Sequence, residues 1–311
     1  MKKNLLLFLN YLSKFKIFKF IYRFYKELSS DPKKFRIVND FFIVNPSMWP
    51  ILTAFSLLGL AISTVCFFHY KKYSLFFMFF FSALILIFAS FWWYDLIKET
   101  QIYHLYTPLV QSNLKLGMII FIVSEVFFSF SFFWAFFHSS LSPSIFIGSV
   151  WPPELFYELG KVINPWSIPV LNTLFSLTSG LYVSWSHHSL KIEEYEDCFF
   201  GLIFCLVCAV FSTGWQAYEY YYAELLLSDG IYGSCFYMLT GFHGLHVIGG
   251  TIFLLVCTIR LRYGHFHDGR HVGFDCAVWY WHFVDVIWIL LFIFVYVWGN
   301  EVVPFVPVLV F

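Results

Sequence analysis

Two segments decide the fold: Thr240-Gly241-Phe242-His243-Gly244-Leu245-His246, and Trp279-Tyr280-Trp281-His282-Phe283-Val284-Asp285. Both lie inside long apolar runs between Asp229 and Gly299, and both carry polar side chains that a helix facing lipid avoids. An imidazole or carboxylate at bilayer depth costs several kcal/mol unless it is paired or faces a protein interior. These two helices therefore need neighbours.

Composition agrees with a membrane setting. The 311 residues are 60% hydrophobic and 12% charged, too few polar side chains to cover a water-soluble globule. The fold expected is all-α and polytopic. Apolar runs long enough to cross the hydrocarbon occur at about 49–69, 73–94, 114–138, 167–187, 198–221, 232–259 and 274–298, giving seven transmembrane helices. The hairpin His69-Tyr70-Lys71-Lys72 makes the first two antiparallel neighbours. The longest connection, Ser139 to Trp166, is stiffened by Trp151-Pro152-Pro153 and Asn164-Pro165. In domain terms, residues 1–43 form a basic extension and 44–311 a membrane domain, with helices 1 and 2 at 49–94 and helices 3 to 7 at 114–298.

Formal charge balances at zero, yet residues 1–40 hold ten Lys or Arg against three acidic side chains. Interleaved Leu, Phe and Ile give this extension the pattern of an amphipathic helix on an anionic surface. It lacks a small-residue cleavage site and is read as retained rather than as a targeting peptide. With seven spans, sixteen Lys or Arg fall on the N-terminal side and three, Lys71, Lys72 and Lys161, on the other. The positive-inside rule places the N-terminus in the cytoplasm-equivalent compartment.

Glu125 stands mid-span with no basic residue within two turns of its own helix. Facing lipid, it has to be neutral; set against a neighbouring helix, it is a candidate for proton exchange. His243 and His246 are three apart, and His282 and Asp285 on the last helix are their expected helpers. Four such groups fall short of a convincing metal set, because no further ligand accompanies them. The favoured reading is polar bracing between the last two helices, with the indoles of Trp281 and Trp288 and the histidines satisfying Asp285. Glu219, Asp275, His187 and His188 lie near helix ends, where contact with water makes polarity inexpensive. Trp92, Trp93, Trp151 and Trp298 read as interfacial anchors. The seven cysteines lie mostly in apolar runs and behave as small hydrophobes. No phosphate-binding glycine loop, zinc-protease helix or nucleophile elbow occurs, and no nucleic-acid partner is expected.

Over about residues 44–299 the chain resembles the cytochrome c oxidase subunit III family of the haem-copper oxidases. The likeness rests on Asn45-Pro46-Ser47-Met48-Trp49-Pro50, on Ser124-Glu125-Val126 followed by Phe133 to Leu141, and on Trp151-Pro152-Pro153. It continues through Ile168 to Thr173, His187-His188-Ser189-Leu190, Ser228 to Ser234, Gly241 to His246 and Trp279 to Asp285. The resemblance implies two N-terminal helices splayed from a five-helix bundle around a phospholipid-holding cleft. It implies no cofactor in this chain, structural phospholipids, and haem a and copper in partner subunits. The role implied is a non-catalytic core subunit that packs on subunit I, supports proton uptake and oxygen access, and meets other oxidase subunits, including lineage-specific ones near the extension.

Glu125 matches the family's intramembrane carboxylate; Arg260 matches a basic position near headgroups, with Trp92, Trp93 and His104 as further headgroup candidates. Departures fall at Tyr94, Lys98, Leu105-Tyr106, Asp275 and Glu154 to Tyr157, where the family commonly has other residues. The implied location is the mitochondrial inner membrane with the N-terminus in the matrix; the bacterial plasma membrane is the alternative. The competing function is a free-standing proton-coupled transporter.

Overall fold

The computed structural model describes residues 46–101, 106–266 and 269–300. The basic extension and His104 lie outside the described residues. The architecture is all-α. Helix α1 spans Trp49–Phe68, α2 Ser74–Gln101, α3 Pro108–Leu141, α4 Glu154–Glu158, α5 Ile168–Lys191, α6 Tyr195–Tyr222, α7 Gly230–Arg262 and α8 Val272–Leu291. A wider π-helical turn, Phe292–Val297, and a 3-10 turn, Trp298–Asn300, prolong α8.

Among the described residues seven helices reach twenty residues, and six of them are also apolar enough to cross a membrane. The helix below that threshold is α5, whose sequence contains Asn172, several serines and the pair His187-His188. Its length suffices, since 24 residues rise about 36 Å. Its polarity points inward: Asn172, Ser179, Ser186 and Ser189 are all buried. An average along the sequence counts these groups as if they met lipid.

The chain divides into two compact units, one ending at Asn113 and one beginning at Leu114. In the first, α1 and α2 form an antiparallel hairpin. Tyr70 and Tyr73 reverse the chain in left-handed conformations, at φ 52° and 65°. The Phe81 ring occupies the space over Gly59 where a side chain would stand. Hydroxyls of Ser56, Thr64, Ser82 and Ser90 donate to carbonyls of their own helix, so they expose no unsatisfied polarity. The outer faces carry Phe55, Phe79 and Leu86, each about two-thirds exposed, which suits acyl chains and not water.

In the second unit α5 and α6 make the closest helix pair. Small residues allow it: a Cβ on Gly201 would stand 2.9 Å from that of Ser186 and 3.1 Å from the Tyr182 carbonyl oxygen. Ser186 donates across the seam to the Cys198 carbonyl at 2.7 Å. Helices α7 and α8 pack together with Trp281 against Gly250. Helix α3 keeps its backbone farther from its neighbours, and aromatic side chains fill the gap. Phe132 stacks on Phe242 at 4.9 Å, Phe128 meets the same ring edge-on at 5.0 Å, and Phe136 packs against Trp151 and Trp298.

The 142–167 connection lies on one end of this bundle. Trp151 is buried there against Phe136 and Tyr232, so it is a core residue and not the interfacial anchor its sequence position suggests. Tyr232 donates to Asn300 Oδ1, and Asn300 Nδ2 donates to the Ile163 carbonyl, both at 2.7 Å. These two bonds tie loop, α7 and chain end together.

A paired carboxylate and a polar seam as candidate functional site

Glu125, on α3, is not alone. Its Oε2 lies 2.7 Å from Nε2 of His246 on α7, while Nδ1 of the same ring lies 2.6 Å from the Phe242 carbonyl one turn earlier. A carbonyl oxygen only accepts, so Nδ1 carries a proton. The short bond from Nε2 to Oε2 then contains one further proton. Written as carboxylic acid with neutral imidazole, or as carboxylate with imidazolium, the pair has zero net charge. Either form is far less costly in an apolar surrounding than a lone carboxylate. Phe128, Tyr280 and Phe283 surround the ring. Of the two settings the sequence allows, Glu125 takes the one against a neighbouring helix, with His246 as its partner.

His243 turns elsewhere. Residues three apart on a helix diverge by about 60°, enough to send His246 toward α3 and His243 toward α8, where it lies 5.0 Å from the Trp288 ring. Neither nitrogen of this buried imidazole has a hydrogen-bond partner among the described residues. The two histidines thus serve different neighbours.

Asp285 also departs from expectation. Its Oδ1 accepts from Ser176 Oγ on α5 at 2.7 Å, and its Oδ2 lies against Gly180. The flanking indoles do not reach it: Trp281 Nε1 donates to Ser179 Oγ and Trp288 Nε1 to Thr173 Oγ1, each at 3.0 Å. His282 Nε2 meets Ser184 Oγ at 3.2 Å. The stripe on α8 is real: its polar atoms bond hydroxyls of α5 and not polar groups of α7, while its indole rings pack against Gly250 and His243 of α7.

Of the groups near helix ends, His188 is exposed as expected, whereas Asp275 and Glu219 are not. Asp275, at the start of α8, is buried and holds three basic groups: Lys115 Nζ at 2.8 Å, His187 Nε2 at 2.9 Å and His271 Nε2 at 3.5 Å. It thereby joins α3, α5 and α8 at one end of the bundle. Glu219 is buried too, and Tyr296, on the π-helical turn, donates to its Oε2 at 3.3 Å. Only His271, four residues before Asp275, is signalled locally in the sequence; Lys115, His187 and the Tyr296 partner of Glu219 are not.

Of the headgroup candidates, Trp93 is exposed and Trp92 half-buried. The Arg260 guanidinium lies over the Phe266 ring at 4.6 Å, with Nη1 against Gly273. Among the described residues no three His, Cys, Asp or Glu side chains converge as a metal-binding group. Cys205 is buried, and Thr178 Oγ1 approaches Cys208 Sγ at 3.7 Å; all seven cysteines are free thiols.

Long apolar helices, lipid-compatible outer faces and carboxylates matched to partners on other helices define a polytopic helical membrane protein with a polar interior. Residues 39–300 match the family profile of Cytochrome c oxidase subunit III. The chain is 48% identical to "Cytochrome c oxidase subunit 3" of Chondrus crispus over 263 residues, covering 85% of this chain and 95% of that one. Identity is 43% to the protein of that name from Arabidopsis thaliana over 262 residues, covering 84% and 97%. It is 45% to that of Canis lupus over 258 residues, covering 83% and 97%. The chain belongs to the cytochrome c oxidase subunit III family.

Proposed function

We propose that this chain is the non-catalytic core subunit III of a cytochrome c oxidase, packed on subunit I in the mitochondrial inner membrane with its N-terminus in the matrix. The observation that carries the reading is the family match along residues 39–300. In this reading the seven long helices all span the membrane, and phospholipid binds along α1 and α2. Exposed Phe and Leu on α1 and α2 supply an acyl-chain surface; Trp92, Trp93, Arg260 and His104 are its headgroup candidates. Haem a and copper belong to the partner subunits, where oxygen is reduced and protons are pumped. His243, His246, His282 and Asp285 hold the bundle's interior together, and Glu125 supports proton uptake and oxygen access.

Affinity purification through a tag on this chain tests the assignment. A complex with haem a absorbance in fixed ratio to the chain is expected; the chain emerging alone, as a free transporter would, sinks it.

For Glu125 the expected behaviour is narrower. Glu125→Gln retains the side-chain shape and a hydrogen-bonding amide beside His246, so assembly should be unchanged while activity decays over fewer turnovers. Turnover lifetime equal to wild type, in a fully assembled complex, would remove Glu125 from the mechanism.

A further inference from the structure

Two small cavities meet at His243. One, of about 20 Å³, lies toward α3 and is lined by Ser129, Phe132, Phe242 and His246, among others. The second, of about 10 Å³, lies toward α5 and α6 and is lined by Ser176, Ser179, Ser212 and Asp285. Val284 also borders both. Each space is near the size of one water molecule.

We propose that His243 is a water-binding residue, holding one internal water with Ser129 on the α3 side and another with Asp285 on the α5 side. Three observations converge on it. The imidazole is more than nine-tenths buried, yet among the described residues neither Nδ1 nor Nε2 reaches a hydrogen-bond partner. The Val284 carbonyl faces the ring but does not meet hydrogen-bond geometry with either nitrogen. Asp285 Oδ1 is taken by Ser176, whereas Oδ2 accepts no hydrogen bond among the described residues. The second cavity is therefore bordered by the Asp285 carboxylate and by an imidazole in need of a partner, with three serines beside them.

Water meets these needs because it donates twice and accepts twice, and burying such groups unpartnered costs more than immobilising a water. A neutral imidazole has one N–H and one bare nitrogen. One water accepts from the ring and the other donates to it; the water beside Asp285 also donates to Oδ2. The result is a hydrogen-bonded line from Ser129 on α3, through α7, to Asp285 and Ser176.

The test is density for ordered water in the intact, lipid-containing complex purified through this chain, for wild type and for His243→Leu. Wild type should show a water within hydrogen-bonding distance of each ring nitrogen, and His243→Leu should lose both. Dry cavities in wild type, or a ring bonded directly to the Val284 carbonyl, would overturn the proposal. Waters that persist in His243→Leu would also overturn it, since Ser129 and Asp285 would then hold them unaided. If the leucine variant does not assemble, the wild-type density decides.

Discussion

Asp275→Ala should cost the folded complex about 3 kcal/mol, because it strips a buried carboxylate from three basic partners at once. Lys115 is 40% exposed and turns to solvent, but His187 and His271 are mostly buried and lose their acceptor with no substitute. The figure sits at the low end for a broken buried pair for that reason. At that size, loss of this chain from the detergent-purified complex should rise steeply, and the melting temperature should fall by several degrees. Asp275→Glu separates charge from shape: it keeps the charge on a longer arm and should retain most of the stability. Two variants equally stable to wild type would show that the cluster of Lys115, His187 and His271 does not hold α3, α5 and α8 together.

The second large effect is a non-additivity. His246→Leu leaves the Glu125 carboxyl in an apolar setting without its hydrogen-bond partner, costing about 1–3 kcal/mol. Glu125→Leu leaves the imidazole in the same position and should cost about as much. The double variant, apolar on both sides, should be closer to wild type than either single one, because no polar group remains unpaired. Thermal denaturation of the four purified complexes reads this cycle. Strict additivity would mean that the 2.7 Å bond between Glu125 and His246 contributes no coupling.

Much of the fold is legible in the sequence because membrane helices advertise themselves: the seven apolar runs each coincide with a long helix among the described residues, although α2 runs on to Gln101 and α3 begins as early as Pro108, where polar residues hide the helix ends. The partners of the polar residues are not. A stripe such as Trp281, Asp285 and Trp288 tells which residues share a face of α8. It does not tell what that face meets, and the hydroxyls of Thr173, Ser176 and Ser179 are more than a hundred residues away. Glu125 and His246 are 121 residues apart. One signal was available: each stands mid-span without a charged or basic partner on its own helix, and two such residues satisfy each other. Trp151 was misread because a tryptophan in a proline-rich loop after a span looks like an anchor, whereas the loop folds back and buries it. The surroundings of Asp275 are hidden for the converse reason, since a helix end need not be a wet place when α3 and α5 supply partners for it.

Helix α5 turns its serines, Asn172 and its share of the hydroxyl contacts toward the interior, and this bears on how the chain is made. A segment recognised by its affinity for hydrocarbon partitions poorly when half of its polarity has no neighbour yet. Helix α6 follows after a three-residue link and supplies the Cys198 carbonyl that Ser186 needs. During biogenesis the two should enter the bilayer as a hairpin, with α5 waiting at the translocation machinery until α6 has been synthesised.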